Sequence, residues 1–209
     1  MLVQNQIGPI TATSSIAAGI LAPQRAGNLG DTIVSELHGR YYETTYRRNM
    51  FSAQSGSTAI VAGLTTAVTG GLVLTNPIGS SVNLVLNKVG FAFTTVFAAV
   101  AAYGLASGYN SGVAVTQTSP VTPKNGFIGV GQTGQGLAAT AVTLPTTPTA
   151  LTILGSGLTG AVTTTPYITS FYDLEGSVII PPGGYVLTYA TAASAAGTYV
   201  SFQYEEVPT

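Results

Sequence analysis

From Gly39 onward, this chain is a succession of short apolar runs interrupted by glycine and proline clusters. Ala59–Val68, Gly71–Leu74, Ser81–Thr95 and Val96–Tyr103 form a first series. The glycine pair at 70–71, NPIGSS at 76–81 and GYNSG at 108–112 punctuate it, each carrying the residues that tight turns demand. Val113–Thr118, Phe127–Val130, Leu137–Thr143, Ala150–Leu154, Tyr167–Tyr172, Ser177–Ile180, Gly184–Ala192 and Tyr199–Val207 continue the pattern, linked by TSPVTPKN, LPTTPT and PPGG. The last run is the clearest: Val200, Phe202 and Tyr204 alternate with Ser201, Gln203 and Glu205, the period of a half-buried strand. Within Ser81–Thr95 the apolar positions switch from even to odd around Asn87–Val89, which predicts a β-bulge. GRYYETTYRR at 39–48 also reads as β, with aromatics among charges.

Many short strands with Gly/Pro turns and no long amphipathic helix predict an all-β fold, a jelly-roll-like β-sandwich. SSIAAGILA and TVFAAVAAYGLAS are the two helical rivals, and no internal repeat is visible. Residues 1–35 differ from the rest. They are apolar yet aperiodic, and too rich in Ile and Leu for a free polar tail. The expected organisation is therefore an extended N-terminal arm, 1–35, followed by a sandwich domain, 36–209.

Composition turns this from a fold into a partner-seeking surface. Charged residues make up 6% of the chain, against about 25% in an average soluble domain. So sparse a charge suits a body largely covered by neighbours. Net charge is −1 and no basic run exists, which argues against a nucleic-acid groove. Basic residues lean toward Arg25–Arg48, while only acids follow Lys124, so contacts between neighbouring subunits and simple solvation are both open. Residues 89–123 carry no charge, but their Thr, Gly and Tyr content and β-branched character argue for strands over a membrane span. The N-terminus has no positively charged segment ahead of its apolar residues, so a signal peptide is not expected.

Candidate chemistry is thin. The absence of Cys excludes disulfides, thiolate metal sites and cysteine catalysis. His38 is the only His, so a Ser-His-Asp arrangement has a single base to draw on. GVGQTG at 129–134 has the glycine spacing of a dinucleotide loop, but a Thr/Pro-rich stretch without the required acid follows it. Asp173 and Glu175 would share one face of a strand, while Glu205 and Glu206 would point to opposite faces. A calcium ion near Asp173 is an outside candidate. The expectation is no enzyme, no cofactor and no metal. Tyrosines are more telling, since an apolar ring with a hydrogen-bonding end suits interfaces. Tyr41, Tyr42, Tyr46, Tyr172, Tyr185, Tyr189, Tyr199 and Tyr204 stand among polar residues. The expected interface residues are Arg40, Tyr41, Tyr42, Arg47, Arg48, Tyr185 and Tyr189. Burial at the margin of the core is the competing role for each tyrosine.

GRYYETTYRRNMFSA (39–53), GLVLTNPIGSSVNLVLNKVG (71–90), LEGSVIIPPGGYVLTYA (174–190) and SFQYEEVP (201–208) together resemble virion proteins of tailed bacteriophages, several of which are head decoration, or cement, proteins. The resemblance implies an N-terminal arm ahead of a β-sandwich, residence on the outer surface of the capsid, and the major capsid protein as partner. It also implies a homo-oligomer, a trimer rather than a dimer. The resemblance fits a tail or neck component as well as a capsid one, and because tyrosines are also what a carbohydrate-binding face uses, the alternative is a glycan-binding receptor module on a tail or head fibre.

Overall fold

A computed structural model describes residues 39–60, 62–129, 131–157 and 168–209. The expected arm, residues 1–35, and His38 lie outside the described residues. The chain divides between Arg40 and Tyr41, and the unit Tyr41–Thr209 is the β body. One short helix, α1 (Tyr42–Tyr46), precedes eleven strands. These are β1 (Met50–Gln54), β2 (Ala67–Thr75), β3 (Val82–Phe93), β4 (Ala101–Tyr109), β5 (Thr116–Val121) and β6 (Lys124–Asn125). β7 (Leu137–Thr143), β8 (Thr149–Gly157), β9 (Ile168–Ile180), β10 (Gly184–Ala190) and β11 (Thr198–Pro208) follow.

The strands form two antiparallel sheets, ordered β6-β1-β11-β3-β9 and β5-β7-β2-β10-β4-β8. β1 pairs with β11, β2 with β10, β3 with β9 and β4 with β8. Successive pairs fall alternately in the two sheets, so the chain is one long hairpin wrapped around a common core. That is the jelly-roll path. β5, β6 and β7 come from the connection between β4 and β8; β6 widens the first sheet beside β1, while β7 and β5 widen the second beside β2.

Alternation builds the core. Leu72 and Leu74 of β2, Leu84, Leu86, Val89 and Phe91 of β3, and Val200, Phe202 and Tyr204 of β11 all face inward. An aromatic cluster fills one end, with Tyr103 5.0 Å from both Phe91 and Phe93, and Phe97 5.1 Å from Phe93 between ring centroids. The expected bulge is present. Leu86 pairs with Tyr204 and Lys88 with Gln203, so Asn87 is the extra residue that moves the buried positions from even to odd. On the other side of β3, Leu86 pairs with Val178 and Lys88 with Asp173, and residues 174–177 loop out as a kink in β9. Glu175 and Gly176 take positive φ there, 51° and 80°.

The central strands of the six-stranded sheet are covered on both faces, while its edge strands β5 and β8 are largely exposed. Val68, Val73, Ala139, Val142, Tyr185, Leu187 and Tyr189 form a second cluster, with Leu64 and Val115 packed against it. All seven residues of β10 are consequently buried.

Several local expectations give way. GRYYETTYRR is not a strand: Tyr42–Tyr46 is helical, because Glu43 and Arg47 pair at 2.7 Å and the Tyr42 and Tyr46 rings stack at 5.9 Å, both at helical spacing. The strand Met50–Gln54 beyond it was not expected. Gly70–Gly71 does not end a strand but sits inside β2, where the register against β7 jumps between Thr69 and Val73. Gly71 has φ 69°, and a Cβ there would lie 2.3 Å from the Thr188 hydroxyl. The expected strands Ala59–Val68 and Val96–Tyr103 are largely irregular; the strands begin at Ala67 and Ala101. Phe127–Gly129 is a turn, and of the expected Tyr167–Tyr172 the described residues, from Ile168, belong with Ser177–Ile180 to one kinked strand, Tyr167 lying outside the described residues. TVFAAVAAYGLAS ends in β4, not in a helix, and no helix among the described residues is long and apolar enough to cross a membrane.

Candidate interaction surface

The residues ahead of β1 carry the most distinctive surface. Tyr41 lies against the five-stranded sheet: its hydroxyl donates to Asp173 Oδ1 of β9 at 3.4 Å, and Lys88 Nζ of β3 sits 5.1 Å from its ring centroid. Lys88 and Asp173 also approach each other at 3.9 Å. At the far end of α1, Tyr46 meets Phe127 edge-on at 6.2 Å. Phe127 follows β6, so this short segment runs from the β3–β9 part of the sheet toward its β6 edge.

Beyond the helix, Arg48 adopts φ 66°. That left-handed turn sends the chain into β1 while the Asn125 amide donates to the Arg48 carbonyl at 2.6 Å. It also sets the Arg48 guanidinium 5.9 Å over the Phe127 ring, a cation–π contact. Arg47 Nε donates to Glu43. The result is an exposed ridge of Tyr42, Tyr46 and Ile128 around a half-buried Phe127, flanked by Arg47 and Arg48. Ile128, at the tip of its turn, is 92% exposed.

Of the seven interface candidates, Tyr41, Tyr42, Arg47 and Arg48 come together here. Arg40 is exposed and directly precedes them. Tyr185 and Tyr189 do not join them. They are 1% and 8% exposed, inside the second core. The Tyr185 hydroxyl bonds the Thr146 backbone carbonyl at 2.8 Å. A strand covered on both faces buries its tyrosines whichever way they point, so these two serve packing and not a partner. Phe127, Ile128 and Lys88 enter the site unannounced, because turn geometry and strand register bring them there.

The acids separate. Glu175 is not on a shared strand face with Asp173; its backbone N–H donates to Asp173 Oδ1 at 3.1 Å within the β9 kink. Glu206 is buried and accepts the Gly136 N–H at 2.8 Å, while Glu205 faces outward, as alternation requires. Tyr204 beside it has its pKa pushed far above the ordinary phenol range by burial, with the nearby Glu206 charge adding to the effect. Tyr103 is raised as well, first by burial; its bond to Ser170 acts in the opposite sense, and the contact with Tyr172 raises it further. Residues 129 and 131–134 of GVGQTG are turn and loop leading into β7, not into a helix. Among the described residues, no three His, Cys, Asp or Glu side chains group as metal ligands would. No family model, curated protein or solved structure matches this chain at a significant level.

Proposed function

We propose that this chain is a structural virion protein of a tailed bacteriophage, a decoration or cement protein that binds the outside of the head and stabilises it through protein contacts. The observation that carries the reading is the exposed ridge of Tyr42, Tyr46 and Ile128 around the half-buried Phe127, with Arg47 and Arg48 beside it. Aromatic and arginine side chains are the groups that anchor protein interfaces, and this chain has few other charges to offer. The ridge immediately follows the apolar N-terminal segment, so arm and ridge would engage the major capsid protein together. The two arginines suit an acidic partner surface, where they set register more than affinity. A homo-oligomer at a symmetric lattice position engages several capsid subunits at once, and multivalency strengthens each weak contact.

The test is binding of purified protein to heads assembled without it. Tyr46→Ala combined with Arg48→Ala is expected to keep the fold and weaken decoration at least tenfold. Deletion of residues 1–30 is expected to remove the gain in heat resistance that decoration confers. Unchanged decoration by both variants overturns the reading. Gel densitometry of virions separates it from a fibre-borne receptor module: many copies across the head against a handful at one vertex or on the tail.

A further inference from the structure

The outer face of the five-stranded sheet carries a second, separate surface. Register places Gln54, Ser201, Gly90 and Phe171 side by side across β1, β11, β3 and β9. The adjacent row on the same face is Ser52, Gln203, Lys88 and Asp173. Four strands at about 4.8 Å spacing make this grid about 14 Å wide, and the two rows lie about 7 Å apart.

Its chemistry is unlike that of a protein interface core. The Phe171 side chain is 75% exposed and one edge of its ring reaches over Gly90, where a Cβ would come 2.9 Å from it; only glycine leaves room for it. Gln54, Gln203, Ser52 and Ser201 make no side-chain hydrogen bond within the described residues, so two planar amides and two hydroxyls present free donors and acceptors. The one ammonium, Lys88, stands beside the one carboxylate, Asp173, so the pair brings no net charge. No branched aliphatic side chain lies in either row.

We infer that this grid binds a neutral oligosaccharide, with one sugar ring stacked on Phe171 and its hydroxyls held by Gln54, Gln203, Ser201 and the Lys88–Asp173 pair. A hexopyranose offers an apolar C–H face to an aromatic ring and hydroxyl groups around its rim, which amides and carboxylates bond in pairs. The platform is long enough for two to three sugar units. A polar face with no net charge and no branched aliphatic side chain in its two rows gives a neutral glycan these contacts and gives a protein core little to bury. Lys88 and Asp173 also hold Tyr41 at the start of the ridge segment, but Phe171, Gln54, Gln203 and Ser201 take no part in the ridge, so the site stands whether the body is carried on a head or on a fibre.

Affinity electrophoresis of the full chain through gels containing dextran, a mixed-linkage β-glucan, a galactomannan or an arabinogalactan tests this, with alginate as the acidic comparison. At least one neutral polymer is expected to retard the protein. Phe171→Ala is expected to weaken that binding about tenfold or more, Phe171→Tyr to retain it, and Gln54→Ala with Gln203→Ala to weaken it further. Phe171 is so exposed that its removal leaves the fold intact, which a melting curve checks. Tyr46→Ala and Arg48→Ala, which alter the ridge, are expected to change nothing in this assay. Retardation by no neutral polymer, retardation that Phe171→Ala leaves unchanged, or salt-sensitive binding to alginate alone overturns the assignment.

Discussion

Asn76 is the residue whose loss the jelly roll is expected to feel most per atom removed. It follows β2 and is fully buried. Its Nδ2 donates to the carbonyls of Val82, 2.7 Å away, and Ile180, 2.9 Å away. Its backbone N–H donates to Gly184 O, and its carbonyl accepts the Gly183 N–H, both at 2.9 Å. One side chain therefore joins the start of β3 and the end of β9, in one sheet, to the β2 and β10 ends of the other. Asn76→Ala removes both side-chain bonds while leaving the backbone pair. A net hydrogen bond contributes about 1 kcal/mol, and a buried carbonyl left unpaired costs about 1–3 kcal/mol. Asn76 Oδ1 is itself buried without a partner, and its removal offsets part of the loss. The expected destabilisation is about 2–3 kcal/mol. At roughly 2–4 °C per kcal/mol for a body of this size, Tm falls by about 4–12 °C. Urea unfolding with a parallel calorimetric scan measures both quantities. Asn76→Asp supplies the control: it keeps the shape but turns an acceptor, or a charge, toward two carbonyl oxygens, and should be worse than alanine. A loss below about 0.5 kcal/mol for Asn76→Ala, or an aspartate variant more stable than the alanine one, refutes the clasp.

Gly71→Ala should lower stability by about 1–3 kcal/mol, since the left-handed φ and the Thr188 hydroxyl both oppose a Cβ; adding Thr188→Ala should recover only the steric part, as a double-mutant cycle will read. Tyr204 binds its phenolic proton more tightly folded than unfolded, so stability is full below the unfolded pKa of about 10 and declines as pH rises above it. Denaturant melts between pH 8 and pH 11 should show that decline, reduced in Tyr204→Phe. The same variant should be no less stable than the parent at pH 7, because the hydroxyl it deletes is buried without a partner. Lys88→Ala should cost less than about 1 kcal/mol in urea unfolding, since its pairings with Asp173 and Tyr41 are solvent-exposed.

What was legible in the sequence was whatever a single strand encodes by itself. The Asn87 bulge showed as a change of phase, β7 showed with its bounds, and β11 showed as clean alternation, because inward and outward positions differ chemically there. Gly70–Gly71 misled because a glycine pair signals a turn and a bulge equally well; only the approach of the Thr188 hydroxyl and the Ala59 carbonyl distinguishes them. α1 was missed because its support is a pair of contacts four residues apart within a stretch rich in strand-forming aromatics. Tyr185 and Tyr189 lie buried where exposure is expected, because GYVLTYA gives no sign that its outer face is covered. Tyr41, Tyr42, Arg47 and Arg48 lie near one another in the fold because they are nearly contiguous in the chain. The Phe171 grid was invisible because its two rows draw on four strands whose register is set by pairings far apart in sequence.

That long-hairpin path also dictates an order of events during synthesis. Ser107 pairs with Thr149, whereas Met50 pairs with Glu205. The inner pairing closes a short loop; the outer one must close nearly the whole body, and long-range β pairing of this kind is slow. β11 is made last yet lies between β1 and β3, so the five-stranded sheet has a missing middle until the final strand emerges. The six-stranded sheet, by contrast, needs nothing beyond β10. A nascent chain stalled after Ala190 can thus hold one complete sheet while the core-facing side of the other stays open. During that interval Leu72, Leu74 and Phe91 lack the cover that Val200, Phe202 and Tyr204 later provide. Of these eleven strands, the last to be made is the one that shuts the core.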